Sequence, residues 1–353
     1  MTDGGNAVMG PVIVAMSGGV DSSVAAALLR DDGLVVSGLT MVLNAEDPAT
    51  DPAVRNAAAV CEFLGIPHEA VDAREMFERE VLEPFAADYA AGRTPNPCVR
   101  CNERVKFGWL LDYARERGAA ALATGHYARI VSEPGRPARL RRALDPTKDQ
   151  SYFLHALTPE TLAQVRFPLG ELIKGRVREI AAELGLPAAN APESQDTCFV
   201  GHEGHEALIA TRIPGAALPG PIVDAGGARV GTHRGLAHYT VGQRKGLGIA
   251  AKEPLFVLAI DPGCNTVVVG PGRMLDVRTI EAAPVTWHDA RDEAACLVQT
   301  RYRMEPVAAR ARVDAAGLHV ETNAPIRGVA PGQAVVCYEE DRVLGGGVIV
   351  SAL

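Results

Sequence analysis

Long apolar runs are missing from this chain: nowhere does it hold the roughly eighteen consecutive apolar residues that a membrane span needs. Its opening stretch, MTDGGNAVMGP, lacks the basic and apolar regions of a signal peptide, so a cytoplasmic protein with no membrane partner is expected. Positive charge is not in excess either. With 35 Lys and Arg against 43 Asp and Glu the formal net charge is −8, which excludes a protein that coats nucleic acid indiscriminately through a basic field. Low-complexity segments and internal repeats are absent. A disulfide framework is absent too: the seven cysteines are odd in number and irregularly spaced, so in a reducing compartment they are free, catalytic or metal-bound. What remains is an ordinary globular composition, 47% hydrophobic and 22% charged, over 353 residues, a length that predicts two or three domains.

The average charge hides a local reversal. Between Ala90 and Gln150 stand twelve Lys or Arg and six Asp or Glu. Inside this basic island lies TPNPCVRCNERVKF, Thr94 to Phe107, with two cysteines at CxxC spacing. Taken alone, that spacing fits half a zinc site, a redox pair, an iron–sulfur anchor or a nucleophile on a substrate-facing loop.

From Val12 to about Val131 short apolar runs alternate with helical patterns. VIVAM, LVVSGLTMVL, PHEAVDA and AALATGHYARIV read as strands; SSVAAALLRDDG, PAVRNAAAVCEFLG, REMFEREVLEPFAADYAAG and RVKFGWLLDYARERG read as helices. Strands separated by helices predict an α/β domain with a doubly wound parallel sheet, whose ligands gather at the carboxyl ends of the strands. Helical patterns in TPETLAQV and GRVREIAAELGLP follow, then the loop NAPESQDTCFVG and a short helix from Glu203 to Thr211. After Pro214, short runs broken by Gly and Pro predict two small β-rich, barrel-like modules divided near Leu275. The expected domains are therefore 1–213, 214–275 and 276–353.

MSGGVDSS, Met16 to Ser23, joins the first strand to the first helix. Its glycines allow close backbone approach and its amides face a helix start, so an anion belongs there. No Walker lysine and no GxGxxG accompany it, which disfavours a GTPase or a Rossmann dehydrogenase. Asp21 beside a polyphosphate requires a bridging Mg²⁺. The competing reading is a plain turn in which Asp21 and Ser22 cap the helix. SGGVDSS resembles the PP-loop of the ATP pyrophosphatases, whose members split ATP between the α- and β-phosphates and pass AMP to a carbonyl oxygen. TPNPCVRCNERVKFG, ATGHYAR, DPTKDQSYFL, ESQDTCFVG and YTVGQRKGLGI, in that order over nearly the whole chain, resemble the tRNA-specific 2-thiouridylases.

That resemblance implies a fold of the adenine nucleotide alpha hydrolase type and a reaction. ATP adenylates O2 of the wobble uridine of tRNA, and sulfur from a cysteine persulfide replaces it. For ATP it implies Ala15, Met16, Ser17, Gly18, Gly19, Val20, Asp21 and Ser22, with Met41 and Gly125 at later strand ends. For sulfur it implies Cys198 as persulfide carrier and Cys101 as the partner thiol, with a Cys101–Cys198 disulfide in the cycle. Arg100, Arg104 and Lys106 would favour the Cys101 thiolate. Asn96, Pro97 and Cys98 are implied at the target base, and His126, Lys148, Asp149, Gln150, Arg301, Tyr302 and Gln333 at the tRNA. Arg244 and Lys245, on a Gly-rich hairpin, suit backbone contacts.

Where many relatives carry Asp, this chain has Cys98, which removes a carboxylate acid/base group and leaves Cys98, Cys101 and Cys198 as three soft ligands. Two readings stay open: a metal-free persulfide enzyme, which is favoured, and a [4Fe–4S] cluster with one open iron. A persulfide donor, either a cysteine desulfurase or a sulfur-relay carrier, is the implied protein partner. Cys61, Cys264, Cys296 and Cys337 fall in helical or strand patterns and read as structural. Two other readings remain, a PP-loop ligase of a small metabolite and a non-catalytic RNA-binding or sulfur-carrier module.

Overall fold

The computed structural model describes residues 10–191, 208–209, 211–213 and 215–353. Cys198, its neighbours Gln195, Asp196 and Thr197, and most of the helix expected at Glu203–Thr211 lie outside the described residues. The described residues fall into two units. One comprises residues 10–80, 98–191 and 341–343, the other residues 81–97, 208–209, 211–213, 215–340 and 344–353.

In the first unit, β1 (Val12–Ala15), β2 (Val36–Val42), β3 (His68–Asp72), β4 (Ala121–Thr124) and β7 (Val165–Arg166) form one parallel sheet in the order β3-β2-β1-β4-β7. Buried on both sides, β1 and β4 read VIVA and ALAT, continuous apolar runs with no polar alternation. Helix α1 (Val20–Asp31) can lie close to the sheet because Ala25, Ala26 and Ala27 are wholly buried and small. Helix α2 (Pro52–Leu64) starts with Asp51 capping Ala53 N–H and a proline in its first turn, and ends at Gly65 in the left-handed region. Because β1 is flanked by β2 on one side and β4 on the other, the winding direction reverses at β1/β4. The crevice for a ligand opens there.

Three expectations change in detail. AALATGHYARIV is two strands rather than one: β4 stops at Thr124, and β5 (Arg129–Val131) pairs antiparallel with β6 (Arg139–Arg141). Between them Tyr127 is bonded to Gln150 on both sides of its peptide, which draws residues 125–128 out of the sheet. The pattern REMFEREVLEPFAADYAAG is helical from Arg74 to Ala90, here called α3, but with a π-helical turn at Glu78–Leu82. The third concerns the CxxC segment. It is no loop, because helix α4 runs through Pro97–Arg100, a π-helical stretch Cys101–Trp109 and Leu110–Glu116. Proline suits the first turn of a helix, its missing N–H being unneeded there, so Pro97 opens this helix instead of delaying it.

The second unit holds two β modules. In one, β8 (Gly220–Asp224), β9 (Arg229–His233), β10 (Leu255–Asp261) and β11 (Thr266–Pro271) order as β10-β11-β8-β9 around Ile222, Tyr239, Leu247, Val257, Val267 and Val269. In the other, β12 (Asp276–Trp287), β13 (Glu293–Gln299), β14 (Val307–Asp314), β15 (Gly317–Arg327), β16 (Ala334–Glu339) and β17 (Arg342–Ala352) form a six-stranded barrel, closed because β12 pairs with both β15 and β17. Alternation decides which side chains fill it: on β14, Ala309 and Ala311 point inward while Arg310 and Arg312 face out.

Candidate active site

The loop after β1 is shaped by what surrounds it. Met16 turns into the core. Gly18 has φ +74°, and a Cβ there would come within 2.7 Å of Asn56 Cβ and 2.9 Å of the Ala53 carbonyl on α2. Only glycine fits. Gly19 is the N-cap of α1, in extended conformation and with no side-chain cap. The nearby hydroxyls serve the loop itself: Ser22 Oγ donates to the Gly19 carbonyl at 3.1 Å, Ser23 Oγ donates to it at 2.8 Å, and Ser17 N–H donates to Ser22 Oγ at 3.2 Å. The plain-turn reading, with Asp21 and Ser22 as caps, is therefore overturned. No side chain caps the start of this twelve-residue helix, and its partial positive charge faces the crevice.

Gly125 follows β4 across that crevice. A Cβ on it would sit 2.8 Å from Asp21 C and Ser22 N, so the absence of a side chain lets the β4 loop lie against the first turn of α1. Met41 stands near the end of β2, half-buried, in register with Val71. The strand ends thus bring together the three groups expected for ATP.

Asp21 is held from two directions. Lys174 Nζ lies 2.7 and 2.8 Å from its two carboxylate oxygens, and the Tyr127 hydroxyl donates to Oδ1 at 2.7 Å. Lys174 opens helix α5 (Lys174–Glu183), and its own N–H donates to Asp145 Oδ2 at 2.9 Å. Burial pushes the Asp145 carboxyl up, but hydrogen bonds from Lys174 N–H and from Thr147 outweigh it and hold the group below the ordinary range. Neither Lys174 nor Tyr127 stood out in the sequence. Tyr127 sits inside ATGHYAR and Lys174 opens KGRVREI, yet their bonds to Asp21 span 106 and 153 residues.

His126, next to Gly125, accepts or donates to Thr124 Oγ1 through Nδ1 at 2.7 Å, and Phe107 and Phe167 pack round its ring with centroids 5.6 and 5.9 Å away. Burial, and then the Lys106 charge, pushes its pKa well below the usual imidazole value. The neutral ring is the form present near neutrality. Asp149 is buried: its carboxylate accepts from Ala143 N–H, Ser151 N–H and Ser151 Oγ at 3.0, 3.1 and 2.9 Å, with Arg142 at 3.2 Å. Gln150 accepts from Tyr127 N–H through Oε1 at 2.9 Å and donates its own N–H to the Tyr127 carbonyl at 2.8 Å. Lys148 precedes them in the same turn, its N–H on the Asp145 carbonyl.

Cys98 is half-buried on the first turn of α4 and Cys101 is 5% exposed where the π-helical stretch begins. The neighbouring cations are engaged: Arg100 donates to the Glu80 carbonyl and lies 3.4 Å from its carboxylate, and Arg104 pairs with Glu103 at 3.0 Å. Beside Cys101, Asn102 is 3% exposed; it donates to the Phe153 carbonyl at 3.3 Å, and its Oδ1 has no partner among the described residues. Of the remaining cysteines, Cys61, Cys296 and Cys337 are buried as expected, burial raising Cys61 to about 11. Cys264 differs, lying exposed in the β10–β11 turn.

In the second unit, Asn96 and Pro97 are half-buried, and the backbone just before them is fastened by Gln333, whose Nε2 donates to the Thr94 and Pro95 carbonyls at 2.9 and 3.2 Å. Arg301 and Tyr302 occupy the β13–β14 turn rather than a strand, with the Arg303 guanidinium 5.2 Å from the Tyr302 ring centre. Arg301 also lines a cleft of about 260 Å³ with Phe256 and Arg327. Arg244 borders a larger one of about 610 Å³.

Three family models cover this chain: a tRNA methyl transferase HUP domain over residues 10–202, a tRNA methyl transferase PRC-barrel domain over 206–271, and an aminomethyltransferase beta-barrel domain over 277–349. Among curated proteins, the tRNA-specific 2-thiouridylase MnmA of Methylorubrum populi is 48% identical, covering 96% of this chain and 93% of its own length. That of Chloroflexus aggregans is 47% identical over 97% of this chain and 98% of its own, and that of Moorella thermoacetica 46% identical over 96% and 99%. The chain belongs to the tRNA-specific 2-thiouridylase family. Membership of the 2-thiouridylases accounts for an α/β domain with a PP-loop followed by two β-rich modules, and for ATP as the nucleotide bound. Among the described residues no helix is long and apolar enough to cross a membrane.

Proposed function

We propose that the protein is an enzyme that converts the wobble uridine of tRNA to 2-thiouridine with ATP and a cysteine persulfide. The observation that carries this reading is the uncapped start of α1 at the β1/β4 crevice, a seat for a polyphosphate, in a chain nearly half identical to 2-thiouridylases. A carbonyl oxygen is a poor leaving group, and ATP supplies a better one. Uracil O2 attacks the α-phosphorus, the bond to the β-phosphate oxygen breaks, and pyrophosphate leaves. Backbone amides of residues 18–22 would hold the phosphates, with Met41 and Gly125 at the nucleoside. Asp21 is the carboxylate at hand for Mg²⁺, which when bound screens the polyphosphate charge.

Sulfur then replaces AMP. Cys198 carries a persulfide received from a cysteine desulfurase or a sulfur-relay carrier. The Cys101 thiolate attacks Cys198 Sγ, forming a Cys101–Cys198 disulfide and expelling hydrosulfide. Hydrosulfide adds to uracil C2, and AMP departs with the original oxygen. An external dithiol reduces the disulfide and closes the cycle. By the family resemblance Asn96, Pro97 and Cys98 would contact the target base, and His126, Lys148, Asp149, Gln150, Arg301, Tyr302 and Gln333 the tRNA. No metal cluster takes part.

Incubation with tRNA, ATP and a persulfide donor tests the whole reading: AMP, pyrophosphate and 2-thiouridine should form in equal amounts. Absence of AMP would leave a binding module. Anaerobic purification with iron and labile-sulfide analysis tests the sulfur route, and a stoichiometric cluster required for activity would replace the persulfide scheme with cluster chemistry on Cys98, Cys101 and Cys198.

A further inference from the structure

The turn Lys148–Gln150 and the loop Met16–Ser23 belong to different motifs, yet one buried side chain joins them. Gln150 grips both the N–H and the carbonyl of Tyr127, at 2.9 and 2.8 Å. Tyr127 is 3% exposed, and its hydroxyl reaches Asp21 Oδ1 at 2.7 Å. On the far side the buried Asp149 carboxylate, with four hydrogen-bond partners, fixes the turn that carries Gln150. Lys174 pulls on the same Asp21 carboxylate from helix α5. The Asp21 position is therefore set by two attachments that share Oδ1, one cationic and one leading through a single phenol to the Lys148–Gln150 turn.

We propose that Tyr127 is a positioning residue that couples tRNA bound on the Lys148–Gln150 turn to the ATP site, by setting where the Asp21 carboxylate stands. This inference rests on the proposed function, since it takes tRNA and ATP as the two ligands. A shift of the turn moves the Tyr127 backbone, because both its N–H and its carbonyl are held by Gln150. The phenol follows, since a side chain packed in the core of the α/β domain moves with its backbone. Asp21 then changes its balance between Tyr127 and Lys174. Charge-assisted hydrogen bonds of this kind are short and directional, so a displacement of a few tenths of an ångström is enough to redistribute them.

Calorimetric titration of an ATP analogue whose α–β phosphate bridge cannot be cleaved, with and without saturating tRNA, tests the coupling. In the unmodified protein tRNA should tighten ATP binding by roughly 5- to 50-fold, and ATP should tighten tRNA binding by the same factor. Tyr127→Phe keeps the ring in the core and removes the hydroxyl. It should bind each ligand alone within about threefold of the unmodified protein, while the coupling factor falls toward one. A coupling factor unchanged in Tyr127→Phe, or absent from the unmodified protein, overturns the proposal. Asp21→Asn separates the two levels: if it leaves ATP binding and adenylation untouched, the reading of the site itself fails. Should Tyr127→Phe melt too low to titrate, Lys174→Met takes its place. With the cation gone, Asp21 is left to the Tyr127 hydroxyl and the coupling factor should change; an unchanged one overturns the proposal.

Discussion

At the scale of single residues, the crevice is governed by small differences in who holds a proton or a hydrogen bond. His126 illustrates the first. Burial and Lys106 depress its pKa, so the folded protein keeps the ring neutral where the unfolded chain, near 6.5, begins to take up a proton. Below that value the unfolded state binds more protons, and stability falls as the pH falls through 6.5 and on toward the lower folded value. Thermal melts between pH 7.5 and 5.5 should show this loss, and His126→Gln should flatten the slope over that window. Cysteine roles separate equally well. Cys198→Ser should abolish thiolation while ATP and tRNA affinities stay within about twofold, because one sulfur atom is exchanged for oxygen and little else changes. Loss of tRNA binding in a filter assay would instead assign Cys198 a structural role.

At the scale of elements, the β4 loop meets the first turn of α1 because one glycine allows it. Gly125 lies against backbone of α1, with no flexible side chain to give way. Gly125→Ala should therefore cost about 1–3 kcal/mol, read as a lowered Tm, and weaken ATP binding at least tenfold by pushing the first turn of α1 aside. An unchanged Tm and ATP affinity would show that the loop and the helix do not need this close approach. Helix α4 makes a different point. Its opening at Pro97 places Cys98 and Cys101 three residues apart on one helical face, and the π-helical stretch from Cys101 onward is a geometry found often at functional sites. The CxxC pattern therefore presents its thiols from a helix start rather than from a flexible strap. Alternating apolar residues laid down the barrel strands, where Arg310 and Arg312 pair outside with Glu293 and Asp314 at 2.7 and 2.6 Å.

For the whole molecule, charge is the quantity that reaches furthest. The basic island between Ala90 and Gln150 is largely answered within the fold: Arg93, Arg100, Arg104, Arg115, Arg117, Arg129, Arg136, Arg141 and Arg142 each lie within ion-pair distance of a carboxylate. Binding of tRNA should accordingly lose affinity with salt less steeply than twelve cations would dictate at about −0.7 to −0.9 per phosphate neutralised. Filter binding across potassium chloride concentrations should give a slope shallower than about −6, and a steeper one would mean that these pairs open on the RNA. The sequence by itself determined the α/β and β-rich halves, the anion-binding loop after β1 and the family, because each rests on local periodicity or on a motif contiguous in the chain. It also supplied Asp21 and Gly125 as members of one site. Only the tertiary structure decided that Asp21 is shared between Lys174 and Tyr127, that Gln150 serves Tyr127, and that the arginines of the island are already paired. Such bonds join residues as much as 212 positions apart, and no local pattern encodes a partner that folding alone brings within 3 Å.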